Sequence, residues 1–314
     1  MELGMIGLGR MGANMTERLL RAGHRVVVHD IDSAAMNRVV ALGSIGAPSI
    51  AALVSELQPP RAVWLMVPAG EIVEATLNAV SAHVQQDDIV IDGGNSNYKD
   101  SMRRAAALAP KGIHFVDAGT SGGIWGLREG YCLMIGGSKS AIDRLHPIFE
   151  SLAPAADRGW AHVGPAGAGH FVKMVHNGIE YGLMQAYAEG FALLHKKTEF
   201  GLDLGQIAEL WRHGSVVRSW LLDLTAEALA QDATLENVRP HVADSGEGRW
   251  TVAEAIEQSL SAPVITLSLM ERFRSRDVES FADRLLAVMR NKFGGHPLPP
   301  GEGGRDSQRA DAAG

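Results

Sequence analysis

The sequence predicts an α/β domain built on a mostly parallel sheet with helices on both faces, followed by an all-α domain. Two observations carry this reading. Through the first half, short apolar runs that end in loops rich in Gly, Asn or Ser alternate with segments of helical period, as strand–helix–strand units do. From "GPAGAGHFVK" onward the apolar residues recur almost wholly at helical spacing. The expected bounds are 1–160 for the first domain and 161–296 for the second. Residues 297–314, with the Pro, Gly and polar bias of "PLPPGEGGRDSQRADAAG", are expected to form a disordered tail.

The first strand runs into "GLGRMG", with Gly7, Gly9 and Gly12 preceding a helix-like segment and a second strand, "RVVVHD". This is G-x-G-x-x-G in its strand–turn–helix setting. Gly7 would allow the tight turn, Gly9 the close approach of a pyrophosphate, and Gly12 close packing of helix on strand. Phosphate charge would face the helix N-terminus. A Rossmann-type domain is therefore expected, with Gly7, Leu8, Gly9, Arg10, Met11 and Gly12 around the cofactor. Asp30 ends the second strand, where a carboxylate typically accepts from ribose hydroxyls. Because "HDID" holds two carboxylates and no arginine, a 2′-phosphate would meet like charge, and NAD is expected over NADP.

Further strands are expected in "AVWLMVP", "DIVIDGGN" and "HFVDAGTSGG", separated by segments such as "GEIVEATLNAVSAHV". Open α/β sheets bind ligands beyond the carboxyl ends of their strands. Val67 and Pro68 at the end of the first of these, and Asn95 at the end of the second, are the remaining cofactor candidates. Asn95 and Ser121 are also candidates to touch substrate. "YCLMIGGSKSAIDRLHPIFESLA" supplies another strand and helix. In the second half, "DLGQIAELWRH", "WLLDLTAEALAQD", "TVAEAIEQSL" and "FADRLLAVMRNKF" read as helices.

With 314 residues, 46% of them hydrophobic and 21% charged, the chain has the composition of an ordinary globular protein. A net charge of −7 argues against nucleic acid or an anionic membrane as the main partner. The single cysteine, Cys132, excludes an internal disulfide framework and is expected in the core. No secretory leader precedes the first apolar run, and no apolar stretch approaches the roughly 20 residues that span a bilayer, so a cytoplasmic location is expected.

"KMVHNGIEYG" is the least ordinary helix. Lys173, His176, Asn177, Glu180 and Tyr181 follow the spacing of one helical face, while Val172, Val175, Ile179, Leu183 and Ala186 form an apolar stripe. The expectation is that the apolar stripe packs against the protein and the polar one overlooks a ligand space. Seven residues separate Lys173 and Glu180 by roughly 10 Å along the axis, enough to flank a small molecule.

At this point the chain resembles the decarboxylating 6-phosphogluconate dehydrogenases, within the wider β-hydroxyacid dehydrogenase family, from residue 1 to about 296. The carriers are "GLGRMGANM", "IDGGNSNY", "GTSGG", "GAGHFVKMVHNGIEYGLMQAYAEG", "DSGEGRWT" and "RNKFGGH". The chain ends where longer members continue with more helices, so it looks like the short, NAD-preferring form. The resemblance implies oxidation of 6-phospho-D-gluconate at C3, hydride transfer to nicotinamide, loss of CO2 and protonation of an enediol to give ribulose 5-phosphate. It implies Lys173 as general base and Glu180 as general acid. Asn95, Ser121, Gly122, Gly123, His176 and Asn177 would hold hydroxyls and carboxylate, and Tyr181 the phosphate. Arg290 and His296, carried by "RNKFGGH", would reach a neighbouring subunit's site, which makes a homo-oligomer the expected assembly. Arg276 or Arg274 would supply another phosphate contact. No metal is required.

One departure stands out. Longer relatives place a lysine in a glycine-rich phosphate loop before the Trp-Thr pair, whereas "DSGEGRWT" has Glu247 and Arg249 there. The alternatives are a dehydrogenase of a small β-hydroxyacid, of the 3-hydroxyisobutyrate or tartronate semialdehyde type, and a non-catalytic NAD sensor. The first would keep Gly7 to Gly12 and Lys173 without needing Arg290 and His296.

Overall fold

The computed structural model describes residues 1–294 and 297–298. These fall into two compact units: Met1–Thr234 with Asp244–Leu269, and Leu235–Ala243 with the residues from Met270 on.

The first unit begins with β1 (Glu2–Ile6), α1 (Arg10–Arg21), β2 (Arg25–His29), α2 (Ser33–Val40), β3 (Ile45–Gly46), α3 (Ile50–Ser55) and β4 (Ala62–Leu65). It continues through α4 (Glu71–Ser81), β5 (Ile89–Asp92), α5 (Tyr98–Leu108), β6 (His114–Ser121), α6 (Gly126–Glu129), β7 (Cys132–Gly137), α7 (Lys139–Leu152) and β8 (Trp160–Gly164). The eight strands form one sheet in the order β3-β2-β1-β4-β5-β6-β7-β8. All neighbours pair in parallel except β6 and β7, which are antiparallel. The order reverses at β1, where the chain crosses to β4, and this is the switch point that leaves a crevice at the carboxyl ends.

Every residue of β4 and β5 is buried, because helices cover both faces of a parallel sheet. One face packs Leu3, Met5, Trp64 and Ile91 under α1 and α7, including Met15, Leu19, Leu145 and Phe149. The other packs Ile6, Val63, Leu65 and Val90 against Leu53, Leu77 and Leu108 of α3, α4 and α5. The short β3 and the edge strand β8 lacked a legible pattern. Ile45 and Gly46 are exposed, and Trp160 to Gly164 include three exposed residues.

The 29-residue α8 (Ala168–Lys196) follows, then α9 (Leu204–Trp211), α10 (Trp220–Gln231), α11 (Glu247–Glu257), α12 (Pro263–Arg274) and α13 (Phe281–Gly294). A small core of Ala208, Leu222, Ala226 and Leu229 joins α9 and α10, with Tyr187 and Phe191 of α8 against it. The mostly parallel sheet followed by helices matches the predicted fold class. Cys132 departs from its expected place: it is exposed at the start of β7, where the antiparallel strand emerges from the sheet.

Candidate active site

The glycine turn is shaped as its pattern requires. Gly7 has φ +94°, and a Cβ there would lie 2.3 Å from the Met66 carbonyl oxygen. A Cβ on Gly12 would lie 2.0 Å from the Gly7 carbonyl oxygen, so α1 packs against the turn only without a side chain. At Gly9, by contrast, a Cβ would meet nothing within 4 Å. Gly9 is also the N-cap of α1, and no side chain caps that helix, which leaves its first N–H groups for an anion. Arg10 is exposed, Met11 half-buried, and the Leu8 side chain is core. The Leu8 N–H donates to the Asp30 carboxylate, whose other oxygen accepts from the Asp32 N–H at 2.8 Å. Asp30 is thereby fixed beside the turn. Val67 touches the position a Cβ on Gly7 would take, and Pro68 is exposed beyond it. These residues fit a dinucleotide.

A cleft of about 1050 Å³ opens next to this turn. Met11, Asn95, Ser121, Gly122, Gly123, Lys173, His176, Asn177, Glu180 and Tyr181 all line it. Ten of the residues singled out in the sequence thus meet in one cavity. Thr120, Ile124, Trp125, Trp220 and Ser245, which sequence reasoning did not select, line it as well. A second hollow of about 910 Å³ shares Ser121, Gly122, Trp125 and His176 with it.

Lys173 is only 7% exposed. It sits over Gly119 of β6, where an added Cβ would come within 2.5 Å of the Lys173 Cβ. Burial pushes its amine below the ordinary lysine range, against the opposing pull of Glu180, Glu247 and Cys132. Its Nζ lies 3.4 Å from His176 Nδ1, which is 3.1 Å from Asn177 Oδ1 and 3.9 Å from a Glu180 carboxylate oxygen. His176 therefore stands between the candidate base and the candidate acid. Glu180 keeps 41% of its side chain exposed.

The polar stripe of α8 lines the cleft as expected, but the apolar stripe is not the buried one. Lys173, Asn177 and Tyr181 are buried, whereas Val172, Ile179 and Leu183 are 37%, 52% and 46% exposed. The Lys173, Asn177 and Tyr181 edge of the polar stripe is covered because α11 packs on it. A Cβ on Gly178 would meet the Thr251 side chain at 2.7 Å, and one on Gly248 the Tyr181 ring at 2.5 Å. Thr251 Oγ1 donates to the carbonyls of Met174 and Glu247 at 2.9 and 2.8 Å, pinning the two helices together. The Tyr181 hydroxyl accepts from the Ser245 N–H at 3.3 Å, at the base of the "DSGEGRWT" loop. The Asn95 amide donates to Glu247, which is 2% exposed. Arg249 is held by Asp244 through bonds of 2.7 and 3.1 Å, so its guanidinium fork is engaged within the loop.

Two buried carboxylates hold this site from behind. Asp117, in the middle of β6, accepts from the N–H groups of Gly167 and His170 at 2.6 and 2.8 Å. It caps the start of α8 from another strand, in place of the side chain that the N-cap Gly167 lacks. Asp92, ending β5, accepts from the Gly94 N–H, the Ser96 hydroxyl and Arg104, and so sets the loop that carries Asn95. A lone Asp inside an apolar strand run, as in "HFVDAG" and "IVIDGG", is the signal that could have found both.

Arg276 and Arg290 belong to the second unit. The Arg276 guanidinium lies over the Phe273 ring at 5.2 Å, and Arg274 pairs with Asp283 at 2.7 Å. Arg290 is exposed on α13. His296 lies outside the described residues, as does most of the 297–314 segment.

Comparison with known proteins gives this arrangement a family. The model described as the NAD binding domain of 6-phosphogluconate dehydrogenase matches residues 2–164, and that of the 6-phosphogluconate dehydrogenase C-terminal domain matches residues 169–295. The chain is 47% identical over 299 residues to an NAD(+)-dependent, decarboxylating 6-phosphogluconate dehydrogenase of Haloferax volcanii, covering 95% of this chain and 98% of that protein. It is 44% identical over 296 residues to YqeC of Bacillus subtilis, covering 94% of this chain and 98% of YqeC. A solved structure of 6-phosphogluconate dehydrogenase from Plasmodium falciparum superposes with a TM-score of 0.81 at 29% identity, covering 96% of this chain and 67% of that one. With both family models matched in series over nearly its whole described length, this chain belongs to the 6-phosphogluconate dehydrogenase family.

Proposed function

We propose that this protein oxidises and decarboxylates 6-phospho-D-gluconate to D-ribulose 5-phosphate and CO2, passing the hydride to NAD. The observation that carries the reading is Lys173, a buried amine whose proton is easily lost, in a cleft beside the glycine turn and joined through His176 to Glu180. Gly7 to Gly12 would hold the pyrophosphate and Asp30 the adenine ribose, with Val67, Pro68 and Asn95 completing the cofactor side. When bound, the cofactor accepts the hydride from C3.

Lys173 in its neutral form takes the C3 hydroxyl proton as that hydride leaves. As an ammonium it then stabilises the negative charge that develops on the C3 oxygen during loss of CO2. Glu180, as the carboxylic acid, delivers a proton to C2 of the enediol. Asn95, Ser121 and Asn177 offer neutral donors and acceptors to the hydroxyls, which His176 also contacts, and Gly122 and Gly123 let backbone N–H groups approach the carboxylate. Tyr181 reaches the phosphate, which Arg290 and His296 of a neighbouring subunit also bind. The assembly is then a homo-oligomer, as a site completed by Arg290 and His296 of a neighbour requires.

We take residues 1–160 as the nucleotide-binding part and 161–296 as the substrate and oligomerisation part, and the cytoplasm as the location. No described helix is long and apolar enough to cross a membrane. The test is an absorbance assay at the NADH band with 6-phosphogluconate and either NAD or NADP, with CO2 captured in parallel. NADH formation matched by CO2 is expected. NADH without CO2 would move the assignment to a small β-hydroxyacid, and binding without any NADH to a sensor.

A further inference from the structure

Glu247 has no part in the mechanism above, yet it is among the most deeply buried charged side chains of the first unit, at 2% exposure. It opens α11 at the N-terminal end, which packs directly over the Lys173 face of α8 through Gly178 against Thr251 and Gly248 against Tyr181. Its two carboxylate oxygens accept from different donors: one from the Asn95 amide, the other from the Ser245 hydroxyl at 2.5 Å. A carboxylate that takes one donor on each oxygen is satisfied as an anion, whereas a carboxylic acid would need an acceptor for its own proton. Fixing the Asn95 NH2 on Glu247 also fixes where the Asn95 carbonyl oxygen points, since the amide is planar. Both Asn95 and Ser245 line the cleft.

We propose that Glu247 is a positioning residue of this site: a buried anion that orients the Asn95 amide towards the substrate and gives Lys173 a fixed counter-charge. The proposal rests on the activity assigned above. The titratable groups around Lys173 are His176, Glu180 and, two turns along, Tyr181 from its own helix, Cys132 from β7 and Glu247 from α11, while β6 presents Gly119. Glu247 differs from Glu180 in being sealed from water, so its charge is little screened. It keeps the amine protonatable after the C3 proton has been taken, which is the state that decarboxylation uses.

Two substitutions separate charge from shape. Glu247→Gln keeps an acceptor for Asn95 and can turn its own NH2 to the Ser245 oxygen, so it removes the charge with little change of geometry. Glu247→Ala removes both. The proton affinity of Lys173 is read without turnover, from the pH dependence of its modification by an amine-directed reagent, quantified by mass spectrometry of the Lys173 peptide. In Glu247→Gln the midpoint is expected to fall by about one pH unit, and the acidic limb of the kcat/KM profile with 6-phosphogluconate to fall with it. In Glu247→Ala, KM for the sugar acid is expected to rise about tenfold, with Asn95→Ala plus Glu247→Ala no worse than Asn95→Ala alone. An unchanged labelling midpoint in Glu247→Gln overturns the proposal, and so does full additivity in the double variant. A wild-type protein that makes no NADH from 6-phosphogluconate sinks the assigned reaction instead, and the labelling midpoint still decides whether Glu247 is the counter-charge of Lys173.

Discussion

Lys173 is costly for the fold, and the same burial suits it to its proposed role as base. Because burial lowers its proton affinity, the unfolded chain holds that proton more firmly than the folded one. Folding stability therefore rises with pH between the lowered folded value and the ordinary lysine value. Lys173→Met removes this penalty. The variant is expected to melt about 2 °C or more above wild type at neutral pH, with the gain vanishing above the ordinary lysine range, as scanning calorimetry across pH would show. The same variant should lose turnover by at least about a thousandfold, and substantial retained activity would exclude Lys173 as the base. On the cofactor side, Asp30 is held by the N–H groups of Leu8 and Asp32, so its carboxylate cannot swing away from an incoming 2′-phosphate. Asp30→Ala is expected to lower kcat/KM for NAD by about tenfold or more while changing that for NADP little, which cofactor-varied kinetics would measure.

At the scale of elements, the site is a matter of how α8 is held. Asp117 takes two N–H groups of its first turn from inside the sheet, fixing both the height and the direction of the helix that carries Lys173 to Tyr181. Asp117→Asn keeps the size but turns an acceptor into a donor opposite an N–H group, and should cost about 1–3 kcal/mol of stability in denaturant titrations. The crossing with α11 is equally close. Thr251, below the Gly178 position, is buried and committed to two hydrogen bonds, so it cannot yield to a methyl group at 2.7 Å. Gly178→Ala is expected to destabilise the protein by about 1–3 kcal/mol and to lower kcat/KM by displacing Asn177 and Glu247 together. A variant with wild-type melting temperature and kinetics would show that the crossing has slack.

For the whole molecule, the C-terminal part of α8 makes a prediction about assembly. Leu193 is 75% exposed and lies outside the cleft lining, to which Ile179 and Leu183 belong. Leu193→Glu is expected to shift the protein to smaller species in sedimentation velocity, with loss of activity if Arg290 and His296 serve a neighbour's site. A wild-type protein that sediments as a fully active monomer would refute the shared site.

The glycine turn, the alternation of strands with helices, and the Lys173 to Tyr181 stripe were all legible in the sequence. Each is local: G-x-G-x-x-G needs one turn, and a stripe needs one helix. The carboxylates behind the site were not, because the partners of Asp117 lie 50 and 53 residues away, and Asn95 meets Glu247 across 152 residues. The sequence also made the wrong face of α8 the buried one, since hydropathy ranks a side chain by its preference for water and cannot see that α11 supplies a satisfied polar lid. By itself, then, the sequence determined the fold class, the cofactor turn and the polar stripe of α8, which rest on spacing along one element. The burial that loosens the Lys173 proton, the tether that aims its helix and the anion beside it were decided only by the tertiary structure, because desolvation and electrostatic partnership arise only when distant elements exclude water together.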